Sequence, residues 1–147
     1  MAFPYKRIFA ALDGSTTQEA VARRAVALAA HNKAELVFGH VVDSVSSDVN
    51  GANFDELCAE VTERLESDLA DILTEARNSP DIPACSLEVR AGRVTDALVE
   101  QLIGPCNPDV VVCGERGLSD IKYAFVGSVS KHLIRTVRCD VLVVKQD

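Results

Sequence analysis

Five short runs of Val, Ile, Leu, Ala and Phe punctuate the chain, and the segments between them are long enough to form helices. The runs lie at 6–12, 35–42, 85–90, 110–113 and 140–145. All but one are apolar on consecutive residues, so they have no wet face. A strand that is apolar on both sides must be covered on both, and the intervening helices are the available cover. The alternation predicts an α/β fold: a doubly wound, five-stranded parallel sheet with helices on both faces and right-handed crossovers. The exception is Cys85-Ser-Leu-Glu-Val-Arg90, where Leu87 and Val89 face one way and Ser86, Glu88 and Arg90 the other. That alternation marks an edge strand. It favours the strand order 3-2-1-4-5 over 2-1-3-4-5, which would bury this segment in the middle.

The covering segments carry helix signals. Thr16 stands three residues before Glu19, a capping-box spacing that starts a helix running to about His31. After a polar loop at 43–52, Asn53 and Glu56 repeat the spacing. Phe54, Leu57, Val61, Leu65, Leu69, Ile72, Leu73 and Ala76 then recur at helical period, predicting one long amphipathic helix that ends near Asn78. Gly92 opens a short helix to about Ile103, and a last helix runs from Ser128 to about Val137. No repeat, linker or low-complexity tract interrupts the pattern, so residues 1–147 read as one domain.

Charge narrows the partners. A formal net charge of -7 argues against a nucleic-acid backbone or an anionic membrane. It leaves room for a small anionic ligand, because backbone amides bind phosphate without net positive charge. No apolar run approaches the ~20 residues that span a bilayer, and no apolar leader precedes the first strand, so a soluble, cytoplasmic protein is expected. The five cysteines are an odd number with no C-x-x-C pair, which suggests neither a disulfide framework nor a zinc site. His31, His40 and His132 are scattered without metal spacing and read as core or surface residues. No Gly-x-Ser-x-Gly, Walker-type Gly-Lys-Ser/Thr or Gly-x-Gly-x-x-Gly occurs, so nothing is assigned a catalytic role on motif grounds.

In the 3-2-1-4-5 order the winding reverses between the first and fourth strands, and a crevice opens there at their carboxyl ends. Asp13 follows the first strand and Gly114 the fourth. The segment after the fourth strand reads Gly114-Glu115-Arg116-Gly117, nine residues, then Gly127-Ser128-Val129-Ser130. Glycines allow positive φ and close backbone approach, and Ser128 is a natural N-cap for the next helix. Free amides and the positive end of the helix dipole suit a phosphate, with hydroxyls from Ser128 and Ser130 as further donors. Three glycines before a helix are also ordinary turn chemistry; their spacing is the informative part.

Gly-x2-Gly-x9-Gly-Ser after a valine-rich strand resembles the ATP-binding signature of the universal stress protein family. Ala11-Leu12-Asp13-Gly14-Ser15, His40-Val41-Val42, Cys139-Asp140 and Val141-Leu-Val-Val144 extend the resemblance over nearly the whole chain. It implies an adenine nucleotide alpha hydrolase-like fold and ATP as ligand, with Mg or Mn carried through the phosphates. Asp13 then reaches the ribose or phosphate region, and the backbone of Val41 meets the adenine edge. Gly114, Arg116, Gly117, Gly127, Ser128, Val129 and Ser130 surround the ribose and phosphates. Glu115 departs from the family, which usually has a small Ser or Thr there.

The apolar run 141–144 would be an exposed edge in a monomer, so a homodimer joined through strand 140–145 is expected. The expected function is that of an ATP-dependent switch in stress response. The alternatives are a slow ATPase that retains its product, for which only Asp13 and Glu115 are placed to act, or a member that binds AMP, a cyclic nucleotide or none.

Overall fold

The computed structural model describes residues 4–44, 53–115 and 128–145. Its five strands are β1 (Arg7–Ala11), β2 (Glu35–Asp43), β3 (Cys85–Gly92), β4 (Val110–Gly114) and β5 (Asp140–Val144). All pair in parallel, in the order β3-β2-β1-β4-β5. The predicted fold class and strand order are both found.

The central strands divide their side chains between two cores. Ile8 and Ala10 of β1, with Val110 and Val112 of β4, face one core, against α1 (Gln18–Asn32), α2 (Phe54–Asp68) and α3 (Ala70–Asn78). Phe9, Ala11, Val111 and Cys113 face the other, against a helix at 94–106 (α4) and α5 (Ser128–Thr136). Helices on both faces are what strands without a polar side require. Ala22, Ala25 and Ala29 of α1 are fully buried, so that helix lies close on the sheet. Gly39 of β2 works likewise on the other face: a Cβ there would sit 2.3 Å from Phe9 Cζ, so the missing side chain makes room for the ring.

Three helical expectations change. The Thr16–Glu19 capping box does not form; α1 starts at Gln18, and its N-cap residue Thr17 has helical dihedrals and makes no side-chain cap. The chain enters through a side-chain-bonded turn instead. At Asn53 the cap is real, since its Oδ1 accepts from the Asp55 and Glu56 amides at 3.0 and 3.4 Å. The helix it opens is broken at Leu69, whose φ of -112° and ψ of 22° leave the helical range. Leu65 O still accepts the Leu69 amide and Leu69 O the Leu73 amide, at 2.9 and 2.8 Å, so the break is a kink. A straight helix over 54–78 would run for ~37 Å, well past the end of any strand here. Bending at a buried leucine keeps Ile72, Leu73 and Ala76 on the core. Phe54, expected on the apolar face, is 42% exposed.

The third change is at α4, which runs on to Cys106 through a π-type turn at Leu98–Ile103. The Gly104 amide bonds Val99 O, five residues back. The proline ring at 105 would clash with the carbonyl four residues earlier in a regular helix, and the wider turn accommodates it.

Candidate functional site

The chain reverses winding between β1 and β4, and the residues following both strands converge at their carboxyl ends. On the β1 side the turn is built by side chains. Asp13 Oδ1 accepts both the backbone N–H and the hydroxyl of Ser15, at 2.9 and 2.6 Å. Because the Ser15 proton is given to that carboxylate, Thr17 donates its own hydroxyl to Ser15 Oγ at 2.7 Å. Gly14 takes φ +79°, a conformation glycine adopts without strain, and its amide donates to Gln18 Oε1 at 3.0 Å. Asp13 is half-buried, and its Oδ2 has no hydrogen-bond partner among the described residues.

The parity of β2 explains what Val41 offers. In a parallel sheet a residue turns its N–H and C=O toward the same neighbour, and successive residues alternate. Leu36 bonds Ala84 and Ser44 bonds Gly92, so even-numbered residues of β2 face β3. Glu35 bonds Lys6, and Gly39 O accepts from Leu12, so odd-numbered residues face β1. But β1 ends at Ala11. Val41 therefore directs its N–H and C=O into the space that β1 has vacated. The Leu12 carbonyl, which would be its next partner in a continued ladder, is instead 2.8 Å from His40 Nδ1. A carbonyl only accepts, so Nδ1 carries the proton.

On the β4 side, Gly114 is a strand residue paired with Val144. The positive φ anticipated for the glycines occurs, among the described residues, at Gly14 and Gly92 rather than at Gly114. Gly114 O accepts the Ser130 hydroxyl at 2.6 Å, and the next amide, Glu115 N–H, donates to Val144 O at 3.0 Å. Ser130 is 2% exposed, so its hydroxyl is committed inside the protein while its backbone belongs to the first turn of α5. Cys113 Sγ lies 3.5 Å from Ser130 Oγ. Burial pushes the Cys113 thiol up, so it is protonated at neutral pH and acts as a donor. Val129 packs on the second core.

Asp13, Val41, Gly114 and the start of α5 thus meet at one end of the sheet, as the strand order requires. Arg116, Gly117 and Gly127 lie outside the described residues, as does the side chain of Ser128. Sequence reasoning missed the parts played by Ser15, Gln18 and His40. Strand parity, counted from the end of the first run, was the one available signal for His40. Among the described residues no group of three or more His, Cys, Asp or Glu side chains gathers to hold a metal, and no helix is long and apolar enough to cross a membrane.

Comparison with known proteins adds a lineage to this geometry. A Staphylococcus aureus protein named as a universal stress protein is 32% identical over 146 residues, covering 97% of this chain and 86% of its own. The solved structure of universal stress protein UspA from Lactobacillus plantarum superposes with a TM-score of 0.76 at 19% identity, covering 95% of this chain and 97% of that one. A universal stress protein crystallised in complex with cAMP superposes at 0.67 with 24% identity, covering 95% and 96%. The family model described as "Universal stress protein family" matches residues 4–145. The chain belongs to the universal stress protein family.

Proposed function

We propose that this chain binds an adenine nucleotide, foremost ATP, in the crevice between β1 and β4, and serves as a nucleotide-dependent switch in the stress response of the cytoplasm. The observation that carries the reading is the unpaired backbone of Val41 facing the gap left by β1, at the same end of the sheet as the first turn of α5. The N–H and C=O of one strand residue match the donor–acceptor edge of adenine. Asp13 Oδ2 is a free acceptor for ribose hydroxyls. The amides that open α5, at Ser128, Val129 and Ser130, together with the dipole of that helix, suit phosphate. Gly114, Arg116, Gly117 and Gly127 complete the set by resemblance to the family signature. A divalent ion, Mg or Mn, would enter on the phosphates.

Holding ATP is favoured over cutting it, because Asp13 already has one oxygen tied into its turn. A phosphoryl-transfer site also needs a group that positions the attacking water, and Asp13 and Glu115 are the acids placed to try. The relative in complex with cAMP supports an adenine ring as the shared element and makes a cyclic nucleotide the second reading. A homodimer through β5 is part of the proposal, since that strand is an open edge of the sheet.

The test is to denature the purified protein and identify released nucleotide by chromatography and mass, with thermal shifts in millimolar ATP-Mg, AMP and cAMP. Bound ATP, or a shift largest for ATP, is expected. Accumulation of ADP from added ATP, lost in Asp13→Ala, would replace the switch by a slow ATPase. No nucleotide and no shift would sink both.

A further inference from the structure

The strands that flank the crevice each end in a carbonyl, and each of these carbonyls is held by a side chain. Leu12 O, just past β1, is 2.8 Å from His40 Nδ1; Gly114 O, at the end of β4, is 2.6 Å from Ser130 Oγ. Both oxygens lie past the last paired residues of β1 with β2 and with β4, beside the crevice, where no ladder partner takes them. Left free beside a phosphate or a base acceptor, such oxygens repel it. We infer that His40 and Ser130 are positioning residues of the crevice, a role that rests on the adenine-nucleotide reading for its ligand: they hold these two carbonyls and so leave the Val41 and α5 amides to meet the nucleotide.

The two clamps act on different halves. His40 takes the acceptor that the Val41 amide would use in a continued ladder, so the Val41 N–H remains for the base. Its ring also lies along the turn: a Cβ built on Gly14 would be 3.5 Å from His40 Cε1. Ser130 acts on a single peptide group. The Gly114–Glu115 peptide gives its C=O to Ser130 and its N–H to Val144 O, at 2.6 and 3.0 Å. Bonded on both sides, that peptide cannot flip, although it follows a glycine. Cys113 completes the chain of donors, its thiol to Ser130 Oγ and the Ser130 hydroxyl to Gly114 O. Ser130 thereby locks the end of β4 to the first turn of α5.

Binding of ATP and adenosine, measured by calorimetry or competition, separates the halves. His40→Phe is expected to weaken both ligands by a common factor of about 10, the worth of one net hydrogen bond. His40→Asn, whose amide nitrogen reaches the Nδ1 position, restores most of it. Ser130→Ala is expected to weaken ATP about 10-fold more than adenosine. Ser130→Thr restores ATP affinity. ATP and adenosine affinities unchanged in both His40→Phe and Ser130→Ala would overturn the inference. So would a Ser130→Ala variant that loses ATP while its nucleotide-free protein keeps full exchange protection at the Glu115 amide, since that pattern belongs to a direct phosphate contact. The nucleotide-free exchange measurement also reads the clamp if wild type binds neither ligand. In that case the adenine reading fails, and loss of Glu115 protection in Ser130→Ala still establishes the lock on the peptide.

Discussion

Ser15 gives its backbone N–H and its hydroxyl to the same oxygen of Asp13, Oδ1, at 2.9 and 2.6 Å. One carboxylate oxygen is thus committed to the turn, while the other has no hydrogen-bond partner among the described residues. Ser15→Ala removes the hydroxyl bond and also the acceptor that Thr17 uses. A loss of about 1 kcal/mol in stability is expected, with ATP affinity reduced less than in Asp13→Ala. Urea unfolding alongside calorimetric titration checks both; equal losses of affinity would mean that Asp13 serves only the turn.

Gly39→Ala would place a Cβ 2.3 Å from Phe9 Cζ and 2.8 Å from Phe9 Cε2, within a packed core. The ring must move, and a destabilisation of about 2 to 3 kcal/mol is expected by chemical denaturation. Adding Phe9→Leu to that variant should recover part of the loss. A double variant less stable than the sum of the two single changes would contradict the steric account.

The Tyr5 hydroxyl donates to Asp140 Oδ2 at 2.7 Å, joining the segment before β1 to the first residue of β5. That hydrogen bond, first among its causes, raises the Tyr5 pKa above its ordinary 10.0. A raised folded pKa means that the bond's contribution is fully present below the unfolded value and is lost as pH climbs through the folded one. Tyr5→Phe should cost about 1 kcal/mol or less at neutral pH, because the site is solvent-screened. The gap between wild type and variant should close above about pH 10. A gap that stays constant in alkaline thermal melts would remove Asp140 from the explanation.

All five cysteines are free thiols, and burial is the first cause wherever they are shifted. Cys106 is pushed up to about 11. Its alkylation in the native protein should therefore rise about tenfold per pH unit from pH 8 upward, following the thiolate. Mass spectrometry of timed iodoacetamide reactions gives the profile. A plateau below about pH 9 would show an ordinary thiol.

Parity also gives the β5 edge a clean test. Asp140 N bonds Asp109 O and Val144 O accepts from Glu115, so even-numbered residues of β5 face β4. Val141 and Val143 then turn their N–H and C=O toward the open edge. Val143→Pro removes an outward donor and spares the β4 ladder, at a cost of about 1 kcal/mol. It should convert a dimer to a monomer in light scattering, whereas Leu142→Pro should unfold the strand. A dimer surviving Val143→Pro would place the interface elsewhere.

The fold was legible because its cause is local and repeated. Ile8, Ala10, Val110 and Val112 belong to runs without a polar side, and such runs have few stable solutions other than a covered parallel sheet. Edge placement of β3 followed from the alternation of Leu87 and Val89 with Glu88 and Arg90. The kink at Leu69 was not legible, since leucine is a good helix former and the bend answers the length of the sheet beneath it. The capping box at Thr16 was likewise overtaken by its surroundings: Asp13 and Ser15 accept the Ser15 and Thr17 amides, and the turn they build starts α1 at Gln18.

By itself, the sequence determined the class of fold, the strand order and the end of the sheet where Asp13, Val41 and Gly114 meet. Those follow from hydrophobic burial, which depends on residue type and period and tolerates small errors in position. Only the tertiary structure decided which atoms are already spoken for. Whether Asp13 keeps a free oxygen, whether the Val41 amide is open and where the Ser130 hydroxyl goes depend on hydrogen bonds between residues up to 28 positions apart. Hydrogen bonds require ångström-scale placement, and that placement exists only after the two faces of the sheet have packed.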